Sequence, residues 1–464
     1  MSELDASIKE QFNRVFNPIS NWEIIKPCLI NSGIVCIDEA MKSACITIFE
    51  QSECSMKFFI PASGSGSRMF AFLSNIDGNL ELMNNKTVFQ FFDAVEKFAF
   101  WEVIPDAIKH ELLIEKKHQS FLNFLLNEEG LNFKNIPKGL IPFHRYQSNV
   151  LNPFQEQVLQ AQSIREIATS IHFTIQDVYR KDIIKSINEV LIEGKEAHIE
   201  YSEQATDSDV TAFNFSGNPI IDANGKVLKM PAGHGALLKN LNALQDDIIL
   251  VKNIDNVVHQ DNIVDSISMW RELVGLMLII RTEAEEIWKS PSLEAFLLFN
   301  MKYQLLNEDE LNLINDTDTI QELLNRPFRI CGMVKNQGEP GGGPFWVKKN
   351  GRVSKQIVEK SQIPNDQLNA NLLAQSTHFN PVIMVVSTRD FNGDKFNLEL
   401  FADQSNYLIV EKNYKGHEIK FAELPGLWNG GMANWNSIFV EVPDTVFSPV
   451  KSLIDLLRPE HSGN

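Results

Sequence analysis

The stretch from Ser63 to Arg68 combines residue types that could bind phosphate groups. It consists of five consecutive serine and glycine residues and an arginine, in the order Ser63, Gly64, Ser65, Gly66, Ser67 and Arg68. A backbone with few Cβ atoms lets an anion approach closely and can point several N–H groups at it. The guanidinium group of arginine offers a fork of donors that matches phosphate geometry. The stretch predicts a phosphate-binding loop, and an ordinary turn of small residues is the alternative interpretation.

Two lysines further along the chain lie in proline-containing turns and could neutralise a phosphate. Lys138 lies in the sequence Pro-Lys-Gly, and Lys451 lies in Pro-Val-Lys, shortly before an Asp-Leu-Leu sequence. Proline fixes its own φ angle and so restricts the direction in which the chain approaches each lysine. Taken singly, each pattern is also typical of a solvated surface lysine.

Asp255 follows the apolar segment 248–254, which predicts a buried strand. Ligands of open α/β sheets bind at the carboxyl ends of strands, and a carboxylate there, near a triphosphate, is a natural Mg²⁺ ligand. Strand-end aspartates also cap helices, so this alternative stays open. Two further patterns resemble Asp-x-Asp metal motifs but follow no strong apolar strand, and we rank them below Asp255: Asp207-Ser208-Asp209 and Asp316-Thr317-Asp318.

Gln204 and Gly233 are candidates for contacts with a nucleobase. Gln204 follows a predicted strand at residues 197–201, and Gly233 begins a glycine turn that opens a helix. Glutamine offers both a donor and an acceptor, which suits the edge of a base. A glycine lets the base lie against the backbone. We expect the neighbouring His234 to be a structural histidine.

Short apolar segments rich in β-branched residues alternate with helical segments along the chain. A long helical region is predicted at residues 265–312, and strands are predicted at residues 56–60, 171–175, 197–201, 248–254, 328–334, 381–387 and 437–442. Apolar strands that alternate with helices are typical of a parallel sheet covered on both faces. The predicted fold class is therefore α/β, with a mostly parallel or mixed central sheet flanked by helices.

Three regions are predicted along the chain: an N-terminal helical extension at residues 1–55, an α/β domain at residues 56–445 and a C-terminal segment at residues 446–464. Within the domain, apolar residues spaced three and four apart predict a helical insert at residues 71–133. We assign the phenylalanine stripe of this insert to its core.

The composition narrows the classes of partner. The chain of 464 residues has 60 acidic and 42 basic residues and a formal charge of −18. This argues against nucleic acids and anionic membrane surfaces, because both are bound by basic patches. The five cysteines contain no Cys-x-x-Cys pair, which argues against a zinc site or a disulfide framework. The acidic N-terminus does not resemble a signal peptide, and no apolar stretch reaches the roughly 18 residues of a membrane span. We expect a cytoplasmic protein.

In their order along the chain, these motifs resemble those of the UDP-sugar pyrophosphorylases, which are UTP:sugar-1-phosphate uridylyltransferases. The glycine loop, the Pro-Lys-Gly motif, the Phe-Gln-containing helix, the glycine turn and the C-terminal Pro-Val-Lys and Asp-Leu-Leu motifs of that family are matched at residues 63–69, 137–139, 152–164, 233–235, 449–451 and 455–457. Ser63 stands where the family commonly has glycine, and Met69 where it often has leucine. More than sixty inserted residues precede the Pro-Lys-Gly motif. These departures are typical of a divergent branch.

The resemblance implies a Rossmann-like nucleotidyltransferase fold of the GT-A type. It implies transfer of a nucleotidyl group, with UTP favoured as donor, to a sugar 1-phosphate, with Mg²⁺ as cofactor and pyrophosphate as product. The implied roles are triphosphate binding by the loop with Arg68 and Lys138, uracil contact by Gln204 and Gly233, Mg²⁺ binding by Asp255, sugar-phosphate binding by Lys451, and sugar contact by Asn380 and Glu339. Two alternatives stay open: a non-catalytic protein that binds a nucleotide or nucleotide sugar on the same fold, and a GT-A-type glycosyltransferase.

Overall fold

The computed structural model describes residues 6–18, 22–73, 85–147, 149–165, 168–192, 195–204, 209–222, 224–314, 316–336, 338, 342–364, 366–414 and 416–463. The chain forms two compact units that are interleaved along the sequence. Unit 1 comprises residues 1–55, 204–250 and 272–442, and unit 2 comprises residues 56–203, 251–271 and 443–464. The predicted domain boundaries stay a prediction. Two borders between the units, at residues 55/56 and 442/443, lie at or near the predicted boundaries at 55/56 and 445/446.

Many α-helices begin at polar N-caps; Asp38, Asn152 and Asp316, for example, each accept a hydrogen bond from a backbone N–H of the first helical turn. The α-helices of the described residues are α1 (Ala6–Phe16), α2 (Glu39–Gln51), α3 (Lys86–Asp93), α4 (Asp106–Leu113), α5 (His118–Leu126), α6 (Pro153–Ile164), α7 (Arg180–Asn188), α8 (Leu237–Ala243), α9 (Val264–Lys289), α10 (Leu293–Tyr303), α11 (Glu308–Leu311), α12 (Thr317–Leu324) and α13 (Gln367–Gln375). None of them combines the length and the apolar character that a membrane crossing requires.

The strands are mostly short, and the central ones are buried along their whole length. Those of the described residues are β1 (Trp22–Pro27), β2 (Leu29–Ile30), β3 (Gly33–Val35), β4 (Met56–Pro61), β5 (His144–Tyr146), β6 (Asn149–Leu151), β7 (Ala168–Thr174), β8 (Glu196–Ser202), β9 (Val210–Thr211), β10 (Lys229–Met230), β11 (Ile248–Val251), β12 (Phe328–Lys335), β13 (Gly343–Lys349), β14 (Arg352–Val358), β15 (His378–Phe379), β16 (Met384–Ser387), β17 (Leu408–Tyr414), β18 (His417–Glu423) and β19 (Asn436–Glu441).

The main sheet of unit 1 has the strand order β2-β3-β19-β12-β16-β11. β2, β3, β19 and β12 are parallel neighbours, and Phe328 at the start of β12 pairs with Asn436 at the start of β19. β16 runs antiparallel to β12. A separate antiparallel sheet has the order β1-β13-β14. β12 is buried from Phe328 to Val334 and is apolar there except for Arg329, as a central strand requires.

Unit 2 contains the parallel strands β4, β7 and β8, in which Ile171 of β7 pairs with Phe58 on one side and Ile199 on the other. Helix α6 packs on β7. It begins with a capping box between Asn152 and Gln155, with Pro153 at its first position. Parallel sheets with flanking helices confirm the predicted α/β class.

The described part of the predicted insert is helical, as expected, and contains α3, α4 and α5. Phe91, Phe98 and Phe121 are buried in a shared apolar cluster. The prediction that the phenylalanine stripe forms a core is therefore confirmed, with Phe89 as an exception at 53% exposure.

The N-terminal extension, predicted as helical, contains the helices α1 and α2 but also β1, β2 and β3 within residues 22–35. β1 pairs with β13, and β3 pairs with β19, so these residues complete the sheets of unit 1. Two predicted strands are also too long. β11 ends at Val251, and β16 begins only at Met384, after Pro381 and a positive φ of 59° at Val382.

Candidate functional site

The glycine and serine loop follows β4 in unit 2 and ends where a 3₁₀ helix, Ser67–Leu73, begins. Gly66 is buried, and a Cβ atom there would lie 2.6 Å from the carbonyl oxygen of Phe133. A Cβ atom at Gly64 would meet no described atom within 4 Å. Gly66 therefore allows close packing against the insert, whereas Gly64 leaves open space beside an exposed backbone.

The other side chains of this loop fix its shape or face solvent. The carbonyl oxygen of Ser63 accepts a hydrogen bond from Gln176 at 2.6 Å. The hydroxyl oxygens of Ser65 and Ser67 lie 3.0 Å apart. Arg68 is exposed at the start of the 3₁₀ helix, so its guanidinium group is accessible to a ligand.

The Pro-Lys-Gly motif lies directly against this loop. The N–H of Gly66 donates to the carbonyl oxygen of Ile136 at 3.0 Å, and the N–H of Lys138 donates to that of Gly64 at 3.1 Å. Gly139 packs on α6, because a Cβ atom there would lie 2.5 Å from the ring of Phe154. The fold thus joins two motifs that are far apart in the sequence.

Lys138 and Lys451 converge on one carboxylate oxygen. The Nζ atom of Lys138 lies 2.8 Å from Oδ2 of Asp255, and the Nζ atom of Lys451 lies 3.1 Å from the same oxygen. Lys138 also donates to the carbonyl oxygen of Val450. Asp255 is buried, whereas the side chain of Lys451 is 46% exposed. The structure thus brings three of the predicted site residues together in unit 2.

Asp255 is stabilised in its charged form. Burial alone raises the pKa of its carboxyl group, but Lys138 and Lys451 lower it, and the net effect places the pKa below the ordinary 3.8. Burial lowers the pKa of Lys138 from its ordinary 10.5, and Asp255 opposes that shift. The second carboxylate oxygen of Asp255, Oδ1, is buried and has no hydrogen-bond partner among the described residues. Oδ1 is therefore suited to accept a donor or a cation from a ligand.

The backbone around Lys451 is held from both sides. The N–H of Val450 donates to the carbonyl oxygen of Asp255 at 3.1 Å. The N–H groups of Lys451 and Ser452 donate to Oδ2 of Asp455 at 2.8 and 2.7 Å. Asp455, the first residue of the Asp-Leu-Leu motif, therefore positions the lysine, a role that the sequence reasoning did not assign.

A buried chain of polar side chains supports the same C-terminal segment. His144 Nδ1 lies 2.7 Å from Glu156 Oε1, and His144 Nε2 lies 2.9 Å from His461 Nδ1. His461 Nε2 lies 3.0 Å from the Ser448 hydroxyl. Burial lowers the pKa of His461 to about 3, so this histidine is neutral at neutral pH. Sequence reasoning missed this network because its members are single polar residues far apart in the chain.

Gln204 and Gly233 contact each other in unit 1. Nε2 of Gln204 donates to the carbonyl oxygen of Gly233 at 2.9 Å. Gly233 has a φ of 72°, which favours glycine. The ring of His234 stacks on Trp428 with a centroid distance of 4.2 Å, and its Nδ1 accepts from the N–H of Leu427 at 3.0 Å. Burial lowers the pKa of His234 to about 4, so it is a neutral, structural histidine as expected.

Asn380, the first predicted sugar contact, lies buried in unit 1. Its Nδ2 donates to the carbonyl oxygen of Gly332 at 3.0 Å, and its Oδ1 accepts from the N–H of Val382 at 3.1 Å. These bonds use the amide to hold a turn, and a sugar contact there stays a prediction. Glu339, the second candidate, lies outside the described residues.

The Asp-x-Asp patterns provide no metal site in the described residues. Asp316 accepts hydrogen bonds from the N–H and the hydroxyl of Thr319, both at 2.7 Å, and so caps α12. Asp207 and Ser208 lie outside the described residues. The helix cap explains the pattern at 316–318 without a metal.

Across the described residues, no three histidine, cysteine, aspartate or glutamate side chains come close enough to hold a metal ion. Mg²⁺ commonly uses only one or two carboxylates, with phosphate oxygens and water as its other ligands. The free Oδ1 of Asp255 fits one such carboxylate ligand, because its other oxygen, Oδ2, is occupied by the two lysines.

Comparisons with known proteins place the chain in a family. The family model described as "Domain of unknown function (DUF4301)" matches residues 3–462. No curated protein matches the chain. The structural neighbours are UDP-sugar pyrophosphorylases, the group that the motifs resemble.

One of these neighbours is the uridine diphosphate N-acetylglucosamine pyrophosphorylase of Trypanosoma brucei in complex with an inhibitor. It has 12% identity and a TM-score of 0.49, and the match covers 98% of this chain and 78% of that chain. Another is a mutant UDP-glucose pyrophosphorylase of Leishmania major in complex with UDP-glucose. It has 12% identity and a TM-score of 0.40, and the match covers 95% of this chain and 69% of that one. At such scores the likeness does not establish a shared activity.

Proposed function

We propose that this chain, which belongs to the family described as domain of unknown function DUF4301, is a nucleotidyltransferase. It would move a nucleotidyl group from a nucleoside triphosphate, with UTP favoured, to a sugar 1-phosphate and release pyrophosphate. The observation that supports this most strongly is the pair of lysines on Oδ2 of Asp255, directly beside the glycine loop.

The loop and Lys138 supply a surface for the triphosphate. The backbone at Gly64 and Ser65 is exposed, and Gly64 leaves room for phosphate oxygens. Lys138 is bonded to the loop through its own N–H, so its charge is fixed beside that backbone. The accessible Arg68 adds a second cation, one that can form two hydrogen bonds to a phosphate.

Lys451 is suited to the second substrate. Its side chain is half exposed, and its backbone is fixed by Asp455. A sugar 1-phosphate carries a phosphate group that must approach the triphosphate against charge repulsion. Two lysines that share one carboxylate hold two positive charges close together, and this arrangement offsets the repulsion and positions the reactants.

In the proposed reaction, an oxygen of the sugar 1-phosphate attacks the α-phosphorus of the nucleotide in line. A new phosphorus–oxygen bond forms, and the bond from the α-phosphorus to the α–β bridging oxygen breaks, so that this oxygen leaves with pyrophosphate. Negative charge grows on the leaving group, where Arg68 and Lys138 would stabilise it. The chain needs no covalent intermediate for this transfer.

Oδ1 of Asp255 would be the protein ligand of Mg²⁺ in this site. When bound, the ion would neutralise part of the phosphate charge. Oδ2 of the same carboxylate keeps the two lysines in place, so Asp255 would serve the metal and both cations.

Gln204 and Gly233 would contact and recognise the base of the nucleotide. Because Nε2 of Gln204 is fixed on the carbonyl oxygen of Gly233, the amide oxygen Oε1 is oriented as an acceptor. Uracil presents a donor at N3, which matches such an acceptor. The φ of 72° at Gly233 favours glycine, and the carboxylate of Glu423 fills the place that a Cβ atom would take.

The test is a screen for pyrophosphate release with the four nucleoside triphosphates, a panel of sugar 1-phosphates and Mg²⁺. We expect turnover that requires both substrates, with UTP as the best donor. Binding of UTP without pyrophosphate release in any combination would overturn the transferase and favour the non-catalytic binding protein.

A further inference from the structure

Unit 1 contains a cavity of about 960 Å³. None of the residues that we assign to the nucleotide or the sugar belongs to its described lining. Its walls come from the β13–β14 hairpin and from the segments that precede β12 and begin β19. A volume of this size falls within the roughly 300–1,000 Å³ of small-molecule sites.

Two buried polar atoms of the lining residues lack hydrogen-bond partners in the described part of the chain. These atoms are Oε1 of Gln356 and Nε1 of Trp435, and the two residues are 8% and 5% exposed. The amide of Gln356 is held in one orientation, because its Nε2 donates to the carbonyl oxygen of Ala433 at 2.9 Å. An acceptor and a donor without partners are rare in a folded interior and indicate a ligand that supplies both.

Besides Lys349, three cationic side chains share the lining: Arg326, Arg352 and Lys355. Lys355 is 4% exposed, and its Nζ atom reaches the carbonyl oxygen of Gly33 only at 3.4 Å. Burial lowers the pKa of Lys355 to about 8, so this lysine is mostly protonated at neutral pH. The cavity wall therefore contains a buried positive charge that forms no ion pair among the described residues, although the carboxyl group of Glu310 is near enough to act on it electrostatically.

The remaining charges of the lining do not cancel these cations. Lys349 and Asp403 form an ion pair with each other. Glu322 is exposed, so its charge acts on Arg326 but is screened by water. Burial raises the pKa of Glu310 to about 7, so this carboxyl group is only partly ionised at neutral pH. The net charge of the wall is positive, which favours an anion.

The cavity lies at the amino ends of β12 and β19, which are parallel. Arg326 precedes β12, and Asn436 begins β19. The candidate sugar contact Asn380 lies near the other end of β12, because the adjacent Phe379 pairs with Val334. Eight residues of strand at about 3.3 Å per residue separate the two places by roughly 25 Å. The cavity is therefore distinct from the edge of the sheet at the carboxyl ends of its parallel strands, where ligands of open α/β sheets bind.

We propose that this cavity is a second ligand-binding site, which takes a small hydroxylated organic anion such as a sugar phosphate or a sugar carboxylate. The guanidinium groups of Arg326 and Arg352 match the geometry of either anionic group, and Lys355 adds charge. Hydroxyl groups of the same ligand can supply a donor for Oε1 of Gln356 and an acceptor for Nε1 of Trp435.

The experiment is isothermal titration calorimetry on the full chain with glucose 6-phosphate, glucuronate, glucose and inorganic phosphate as probes. We expect glucose 6-phosphate or glucuronate to bind at least tenfold more tightly than glucose or inorganic phosphate. The first two probes separate the phosphate from the carboxylate form of the ligand. Saturating UTP should leave the affinity unchanged, whereas displacement by UTP would assign the binding to another site and overturn the proposal.

Variants locate the binding in the cavity. Arg326→Gln and Arg352→Gln should each weaken the affinity about tenfold or more. Lys348→Gln is the matched control, because Lys348 is an exposed lysine of the same hairpin that does not line the cavity. Absence of binding at millimolar probe, or equal affinity in Arg352→Gln and Lys348→Gln, would overturn the proposal. Thermal unfolding of each variant verifies that it is folded, and pyrophosphate release is not needed for any readout.

Discussion

Two largely buried lysines, Lys138 of unit 2 and Lys355 of unit 1, are held in opposite ways. In unit 2, Lys138 and Lys451 share the carboxylate of Asp255 at 2.8 and 3.1 Å. In unit 1, Lys355 is buried beside a cavity, where its Nζ atom has a long contact of 3.4 Å to the carbonyl oxygen of Gly33 and lies 5.0 Å from the Phe439 ring. The first arrangement pairs each charge inside the protein, and the second leaves a charge for something else to neutralise.

This difference separates two uses of a buried charge. A paired cation is held in position before any ligand arrives, and its carboxylate keeps it charged. A cation without a close partner costs folding free energy, which is recovered only when an anion binds. The comparison can be tested by removing the carboxylate, one paired lysine and the unpaired lysine in turn.

The largest effect is expected for Asp255→Asn, which leaves two lysines without a counter-charge. Removing one partner of a buried ion pair costs about 3–5 kcal/mol of unfolding free energy. Urea unfolding followed by circular dichroism measures this loss. Asp182→Asn is the control, because Asp182 is an exposed aspartate of the same unit. A loss below about 1 kcal/mol would show that the two lysines do not depend on Asp255.

The contribution of Asp255 to the unfolding free energy should also depend on pH, and it should decrease as the pH falls. Burial raises the pKa of this carboxyl group, but the two lysines outweigh burial and place it below the ordinary 3.8. Because the pKa is lower in the folded state, the stabilisation is complete above the unfolded value and disappears as the pH falls through the folded value. The difference in unfolding free energy between the wild type and Asp255→Asn should therefore be constant from pH 7 to 5 and shrink below 3.8. A difference that grows on acidification would contradict the paired state.

Lys451→Ala should affect activity far more than stability. Its side chain is 46% exposed, so its share of the ion pair is screened by water. If it binds the sugar phosphate, its loss should lower turnover about a hundredfold. Pyrophosphate release and the thermal midpoint measure the two effects. Lys134→Ala is the control, because Lys134 is exposed and its Nζ atom donates to Oδ1 of Asn127 at 2.7 Å. Near-normal turnover of Lys451→Ala would remove this lysine from the proposed site.

Much of the region proposed to bind phosphate could be predicted because its parts carry local signals. Glycine and proline mark turns, and an apolar segment before Asp255 marks a strand end. The strand errors have equally local causes: residues 22–35 are too short and mixed to show a strand pattern, and they become strands by pairing with β13 and β19. Tertiary partners of this kind are not visible in the sequence.

The details that matter for chemistry were less predictable. Asp255 could be predicted as a polar strand-end residue, but its two lysine partners come from distant segments. No sequence pattern indicates the cavity of unit 1, because Arg326, Arg352 and Lys355 resemble ordinary surface residues in the sequence. Only the pairing of β13 with β14 and the burial of Lys355 distinguish them.

The smallest effect is expected for Lys355→Met, and its comparison with Lys138→Met is the sharpest test of the difference between the units. Methionine keeps an unbranched chain and removes the charge. Without ligand, Lys355→Met should leave the unfolding free energy unchanged or raise it by about 1–2 kcal/mol, because a buried cation with little pairing is replaced by an apolar group. Its aromatic contact, with Nζ 5.0 Å from the Phe439 ring, limits the gain. Lys138→Met should lower the same quantity, because Asp255 loses its closest partner. Urea unfolding of both variants, side by side, gives the two signs. Equal losses would show that Lys355 has a stabilising partner in the folded protein and that the two cations are held alike.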